Sequence, residues 1–310
     1  MSKIFIGIAS FLDYEIRNTI IDCVNKAKNP ENLNFSVCLQ YDDKLGTNER
    51  CIDDLVEKYN IKIKKYHYSL SNGGCWARNI VQSLYSGETY SLQIDSHTRF
   101  VQNWDEIIVS DYLDLRKISE KPLITCMPPY YQRDDELSVD TYFENMDNLT
   151  LFHVPKITKL SEEYWAMIET NVKLDSCLVN KQMLTLQGGF VFSDGAWVVD
   201  VKQDPEHYYT GEEFALAIRS FTHGYDLYTP KRFICWHRSH NSPNVKHWNA
   251  TSDEIGSKFH RKAMTRLRML IEGGDLGEYG LGKARTIKEY SEYSGVNFET
   301  KLVENVLKLY

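Results

Sequence analysis

The chain lacks a membrane span: no run among its 310 residues is long and apolar enough to cross a bilayer as a helix. The opening stretch Ile4-Phe5-Ile6-Gly7-Ile8-Ala9, behind Met1-Ser2-Lys3, is too short to span and has no cleavage-site pattern of a secretory signal. No membrane partner and a cytoplasmic location are therefore expected. An excess of positive charge is also missing. Thirty-six Lys and Arg face 43 Asp and Glu, for a net charge of −7. That balance argues against a generally basic nucleic-acid-binding surface, while leaving room for a local basic groove. The one basic stretch, His260 to Arg268, reads as a solvated helix face. Cys-x-x-C is absent, and the seven cysteines (Cys23, Cys38, Cys51, Cys75, Cys126, Cys177 and Cys235) are scattered and odd in number. This argues against a disulfide framework and a zinc cluster, and fits reduced thiols. Internal repeats, low-complexity tracts and linkers are lacking too, so one compact unit is the simplest organisation.

What is present is a core. Hydrophobic residues make up 42% of the chain and aromatics 13%, enough to fill a large α/β domain. Strand and helix patterns alternate. Ile4 to Ala9, Phe35 to Leu39, Ile61 to Tyr66 and Tyr90 to Ile94 are short, apolar and rich in β-branched residues. Between them, Asp13 to Ala27, Glu49 to Tyr59 and Cys75 to Tyr85 have helical spacing. Such alternation predicts a mostly parallel central sheet flanked by helices. Further on, helices are predicted over Trp104 to Leu115, Glu212 to Phe221 and Asp253 to Glu272. Strands are predicted over Leu123 to Met127, Gly188 to Phe192 and Phe233 to Trp236. Tyr130 to Lys181 reads as loops and short strands. The expected division is a catalytic unit over residues 1–250 and a packed helical extension over 251–310.

Chemistry concentrates at strand ends. Asp95-Ser96-His97 directly follows the strand Tyr90 to Ile94, at the edge where open α/β sheets bind ligands. A carboxylate with an imidazole suits a divalent metal such as manganese or magnesium. His237, just past Phe233 to Trp236, is the expected third ligand, with His240 as the fallback and His247 nearby. Two strands of one sheet are expected to bring the three ligands together. Glu212 and Glu213, after Gly211, are candidates to line a reaction centre, although acidic residues also open helices for electrostatic reasons. Gly188-Gly189 would let a hexose lie against backbone, or simply turn the chain. Ser10 and Phe11 end the first strand, and Arg17 and Arg78 are candidates for a pyrophosphate.

These pieces occur in one order, which makes a more specific pattern than any of them alone. They run Ile6-Gly7-Ile8-Ala9-Ser10-Phe11 with Asp13; Gln40; Ala77-Arg78; Gln93-Ile94-Asp95-Ser96-His97; Trp104-Asp105; Gly211-Glu212-Glu213; Thr222-His223-Gly224-Tyr225; His237; and Gly280-Leu281-Gly282. The chain resembles the cytoplasmic polypeptide N-acetylglucosaminyltransferases, which modify a hydroxyproline, and beyond them the polypeptide GalNAc-transferases, which also use Asp-x-His. The resemblance implies a GT-A fold, a UDP-sugar donor, a manganese-like ion and retention of anomeric configuration. Together with the position at the strand ends, it makes Ser10, Phe11, Arg17, Gln40, Arg78, Gln93, Ile94, Asp95, Ser96, Gly188 and Gly189 the candidates around the donor. It assigns the metal to Asp95, His97 and His237, and the donor sugar or reaction centre to Glu212 and Glu213. Attack from the leaving-group side, with UDP oxygen taking the proton, requires no general base. Asp134 to Gln187 matches no part of that pattern, which leaves the acceptor open between a protein and, for a viral enzyme in its host's cytoplasm, a hydroxylated nucleic-acid base. Rival readings are a metal-dependent hydrolase and a non-catalytic nucleotide-sugar or carbohydrate-binding module.

Overall fold

Alternating β-branched and aromatic residues, punctuated by amphipathic helices, generate the first half of the fold. In this computed structural model, residues 2–45, 47–131, 153–161, 166–173, 180, 182–238 and 245–304 are described. Strand β1 (Ile4–Phe11) is buried along most of its length. Helix α1 (Ile16–Lys26) buries Ile16, Thr19, Ile20 and Cys23, the i, i+3, i+4, i+7 stripe of one face. There follow β2 (Leu33–Tyr41), α2 (Asp53–Lys58), β3 (Ile61–His67), α3 (Gly74–Gln82) and β4 (Tyr90–Asp95). Helix α2 is shorter than the Glu49 to Tyr59 pattern predicts. The four strands pair in parallel in the order β3-β2-β1-β4.

Beyond β4 the pattern changes. Strand β5 (Thr98–Phe100) follows β4 with no helix between them, then α4 (Trp104–Leu115), β6 (Pro122–Thr125) and β7 (Tyr130–Tyr131). An antiparallel pair, β8 (His153–Leu160) and β9 (Ala166–Lys173), comes next. Then come β10 (Phe190–Asp194), α5 (Trp197–Asp200), α6 (Glu212–Thr222), β11 (Asp226–Tyr228) and β12 (Cys235–Arg238). The last described helices are α7 (His247–Ala250), α8 (Asp253–Glu272) and α9 (Ile287–Ser294). The main sheet has seven strands in the order β11-β6-β10-β4-β1-β2-β3, in which only β10 runs antiparallel to its neighbours. Its core includes Ile6, Ile8, Leu92, Phe190 and Phe192, all at 0% exposure. Each such side chain contributes about 1.5–3 kcal/mol by leaving water. A second cluster joins Phe214 and Ile218 of α6 to Leu267 and Leu270 of α8 and Tyr290 of α9. Among the described residues, no helix is long and apolar enough to cross a membrane.

Two registers position the site. Antiparallel pairing sets Phe190 of β10 beside Ile94 of β4, so the next residue outward on each strand brings Gly189 up to Asp95. A separate three-stranded sheet, β5-β12-β7, pairs His237 with Thr98. His237 therefore lies inside a strand of a second, small sheet. It does not sit past the end of a strand of the main sheet, as the sequence suggested. The chain crosses from β4 to β5 through Ser96 and His97, and that step joins the two sheets at the candidate ligands.

Candidate functional site

The ligand atoms of Asp95, His97 and His237 lie within 4.8 Å of one another. Asp95 ends β4, His97 sits in the turn into β5, and His237 is held in β12 opposite that turn. Asp95 Oδ2 is 3.0 Å from His237 Nε2, and the two histidine Nε2 atoms are 3.1 Å apart. His97 Nδ1 meets Asp13 Oδ2 at 2.5 Å. A ring nitrogen that donates to a carboxylate fixes the tautomer and leaves the opposite nitrogen with a bare lone pair. One carboxylate oxygen and two imidazole nitrogens thus converge on a common point, a donor set that fits manganese or a similar divalent cation.

Asp13 is placed by a turn. Leu12 is buried and adopts a left-handed conformation, φ 48°, with its N–H bonded to the Gln40 carbonyl at 2.9 Å. A non-glycine residue held there is uncommon and is paid for by its surroundings. The Asp13 carboxylate also accepts from Ser96 Oγ at 2.6 Å and from the Glu15 N–H at 2.9 Å. Burial pushes the Asp13 carboxyl up, but the His97 hydrogen bond and charge outweigh it and hold the group at about 2. For His97, burial opposes the charged form, while Asp13 more than offsets it and raises the imidazole above its ordinary value. Asp95 is likewise opposed by burial. Its His237 hydrogen bond and the Arg78 guanidinium hold it far below the usual carboxylate range.

Arg78, on α3, links this cluster to α6. Its Nη2 donates to Asp95 Oδ1 at 3.0 Å and its Nη1 to Glu212 Oε1 at 2.7 Å. The buried Cys75 thiol donates to Glu212 Oε2. Burial works against the Arg78 charge, and Glu212 and Asp95 reverse the balance and raise its pKa. Glu213 faces the glycine pair: Oε1 accepts the Gly188 N–H at 2.7 Å and Oε2 accepts Gln187 Nε2 at 3.2 Å. Burial and the Glu212 charge push the Glu213 carboxyl up to about 7. Helix α6 is capped at its N-terminus by Gly211, whose φ of +80° favours glycine, and an added Cβ there would lie 2.8 Å from Leu267 Cδ2.

Gly188 and Gly189 are pressed against the site's own side chains. A Cβ on Gly189 would lie 3.0 Å from Asp95 Oδ2, and one on Gly188 would lie 2.7 Å from Arg78 Nη1. Gln93 reaches from β4 to the Gly188 carbonyl at 2.7 Å, while Ile94 is core and Ser96 is bound to Asp13. Ser10 and Phe11 lie at the same sheet edge, at the end of β1. The Gln40 amide there is occupied on both sides, donating to the Ser10 carbonyl at 3.2 Å and accepting from Ser71 Oγ at 2.5 Å. The Phe11 ring contacts His247, with centroids 4.9 Å apart. Arg17 is engaged elsewhere, in a two-pronged pair with Asp54 of α2 at 2.6 and 2.7 Å. His240 and most of the Asp134 to Gln187 segment lie outside the described residues.

Sequence reasoning gave no role to Asp13 as the partner of His97, to Cys75 behind Glu212, or to His247. The signal for Asp13 was an acidic residue just past the end of a buried strand. His247 is buried against Phe11, bonds Tyr208 at 2.9 Å and reaches the Ser71 carbonyl at 3.3 Å. Nothing local in the sequence marks that contact.

A family model described as "Glycosyltransferase (GlcNAc)" matches residues 46–300. No curated protein matches the chain. Among solved structures, the chain is similar to GalNAc-T7, crystallised with UDP, GalNAc and Mn2+, at 12% identity and a TM-score of 0.61. That match covers 94% of this chain and 56% of GalNAc-T7. It is also similar to residues 1–349 of TarS from S. aureus in complex with UDP-GlcNAc, at 11% identity and a TM-score of 0.49, over 89% of this chain and 68% of that one. The GalNAc-T7 likeness establishes the fold, which is of the GT-A type: mixed α/β with a large, mostly parallel sheet flanked by helices.

Proposed function

The chain belongs to the glycosyltransferase (GlcNAc) family, and from that premise we propose that it moves a sugar, N-acetylglucosamine by default, from a UDP-sugar to an acceptor hydroxyl on a protein. The observation that carries this reading is the convergence of Asp95 Oδ2, His97 Nε2 and His237 Nε2 at the carboxyl edge of a parallel sheet. A divalent cation held there would neutralise the donor diphosphate and make UDP a better leaving group. GalNAc-T7, of the same fold, was crystallised with Mn2+ and UDP.

The protein's own residues supply the rest. Asp13 fixes the His97 tautomer, so that Nε2 presents a lone pair. Arg78 holds the Asp95 carboxylate from the side away from His237 and restrains Glu212 at the same time. Glu212 is the carboxylate we assign to the donor sugar and to the positive charge that develops at its anomeric carbon. Asp95 and Glu212 are joined by one guanidinium, which fixes the spacing between the diphosphate end and the sugar end. No side chain is required as general base if the acceptor attacks from the leaving-group face with retention of configuration.

A donor screen tests the proposal. UDP release is measured from a panel of UDP-sugars with and without Mn2+, using Asp95→Ala as the control. The expected result is Mn2+-stimulated release from one UDP-sugar, lost in the variant. Full activity in Asp95→Ala, or phosphate or ester release with no sugar transfer, would reject it. Labelled donor incubated with protein and with nucleic-acid acceptors then identifies the acceptor class.

A further inference from the structure

We infer that Glu213 is a positioning residue: it clamps the Gln187–Gly189 loop against Asp95 and His237, and the capacity of its carboxyl oxygens to accept hydrogen bonds, rather than their charge, does this. The inference rests on the reading of Asp95, His97 and His237 as a cation site. The loop is held at several points. The Gln187 N–H donates to Thr125 Oγ1 on β6 at 2.9 Å, and the Gly188 carbonyl accepts from Gln93 Nε2 on β4 at 2.7 Å. On the α6 side both contacts are made by one carboxyl group, with Glu213 Oε1 on the Gly188 N–H and Oε2 on the Gln187 side-chain amide. The next residue, Gly189, is packed so closely on the ligands that an added Cβ would sit 3.0 Å from Asp95 Oδ2 and 3.8 Å from His237 Cδ2. The backbone there is thus a wall of the cation site, and Glu213 braces the wall.

Glu212 and Glu213 are adjacent in sequence but differ in what they touch. Glu212 is bonded to Arg78 and Cys75, and through Arg78 it is tied to Asp95. Glu213 bonds the loop backbone and an uncharged amide. The Gly188 contact asks only for an acceptor, which a protonated carboxyl or an amide still offers through its carbonyl oxygen; the hydroxyl or NH2 on the other side is then a donor, and the Gln187 side-chain amide must turn its own oxygen to it. The upward push on the Glu213 carboxyl, from burial and from Glu212, agrees with a group whose charge is dispensable.

Substitutions of different length and charge test this. Glu213→Gln keeps the length and removes the charge, Glu213→Asp keeps the charge and withdraws the acceptor by one methylene, and Glu213→Ala removes both. Three quantities are compared with wild type: amide hydrogen exchange across residues 187–189 in metal-free protein, Mn2+ affinity by electron paramagnetic resonance, and kcat and donor KM. Bracing predicts that Glu213→Gln stays within about threefold of wild type in Mn2+ affinity and in amide exchange across the loop. It predicts that Glu213→Asp and Glu213→Ala exchange faster at the loop and lose about tenfold or more in Mn2+ affinity, as outer-sphere variants of metal sites do. The reverse ranking, with Glu213→Gln losing Mn2+ affinity and loop protection and Glu213→Asp keeping both, would overturn the inference and make the charge itself the working element. Unchanged exchange and Mn2+ affinity in Glu213→Asp would also overturn it. Should Glu213→Ala fail to fold, the order of the Gln and Asp variants still decides. Exchange and Mn2+ binding need no sugar transfer, so failure to find any UDP-sugar donor would count against the proposed activity and leave this test standing.

Discussion

Asp13→Ala removes a carboxylate that is expected to touch neither cation nor donor, and still should weaken the site. Asp13 is 3% exposed and is the acceptor for His97 Nδ1, Ser96 Oγ and the Glu15 N–H. Its carboxyl is held at about 2 instead of 3.8, a difference worth about 2 kcal/mol of folding stability at neutral pH. The sign follows from the depressed value: the contribution is present above 3.8 and is lost as pH falls through about 2. Deleting the side chain forfeits that contribution and leaves the Ser96 hydroxyl and His97 Nδ1 without their acceptor, so a loss of at least about 2 kcal/mol in urea denaturation is expected at pH 7. The second effect is on the cation. Without Asp13 the His97 proton is free to move to Nε2, the nitrogen that should carry the lone pair. Losing such an outer-sphere carboxylate lowers metal affinity by about 10–100-fold. Isothermal titration with Mn2+ under conditions where the variant is folded reads this directly. A folded Asp13→Ala that binds Mn2+ within about twofold of wild type would refute the claim that Asp13 selects the His97 tautomer.

Four further outcomes follow from the same structure. Mn2+ affinity should fall as pH drops through the raised His97 pKa, because the proton competes for Nε2; an affinity flat between pH 8 and pH 5.5 would contradict this. In metal-free protein the same raised value has the opposite consequence: while Asp13 stays ionised, the His97–Asp13 contact stabilises the fold most below 6.5, and chemical denaturation against pH should show that contribution lost as pH rises through the His97 pKa. Glu15→Gln should cost about 3 kcal/mol or more in chemical denaturation, because Glu15 is 1% exposed and pairs with Arg99 of β5 and Arg238 of β12, leaving buried guanidinium charge when its own charge is removed. Gly189→Ala should reduce Mn2+ affinity by about tenfold or more while folding is preserved, since its Cβ would press on Asp95 Oδ2; unchanged binding would show that the Asp95 carboxylate moves aside without consequence.

Several parts of this fold are legible in the sequence. The first four strands announce themselves through short β-branched runs between helical spacings, and Asp95-Ser96-His97 behind the fourth of them points to the carboxyl edge of β4 as the candidate site. The helix Asp253–Glu272 is found with the same bounds as its pattern, because an N-cap Ser252 and a C-terminal Gly273 frame it. Strand β12 is harder to read. Its pattern suggests Phe233 to Trp236, whereas the strand runs Cys235–Arg238, and His237 and Arg238 are buried. Polar residues normally end a strand pattern; here Glu15, far away in sequence, pairs with Arg238 and makes its burial tolerable. The same long-range ion cluster explains why the Thr98–Phe100 strand, which carries Arg99, has no visible pattern. Asp226–Tyr228 escapes because three residues are too few to show a period. In the site, residue types tell which groups could bind a cation. They do not tell that Arg78 is engaged by Asp95 and Glu212, or that Arg17 is engaged by Asp54, since pairings across the sheet edge are set by tertiary packing.

The most direct test is anomalous diffraction from crystals soaked with Mn2+ and UDP-GlcNAc. A single strong manganese peak is expected at the meeting point of Asp95, His97 and His237, in contact with the diphosphate. A manganese peak elsewhere, or UDP bound with those three side chains bare, would contradict it.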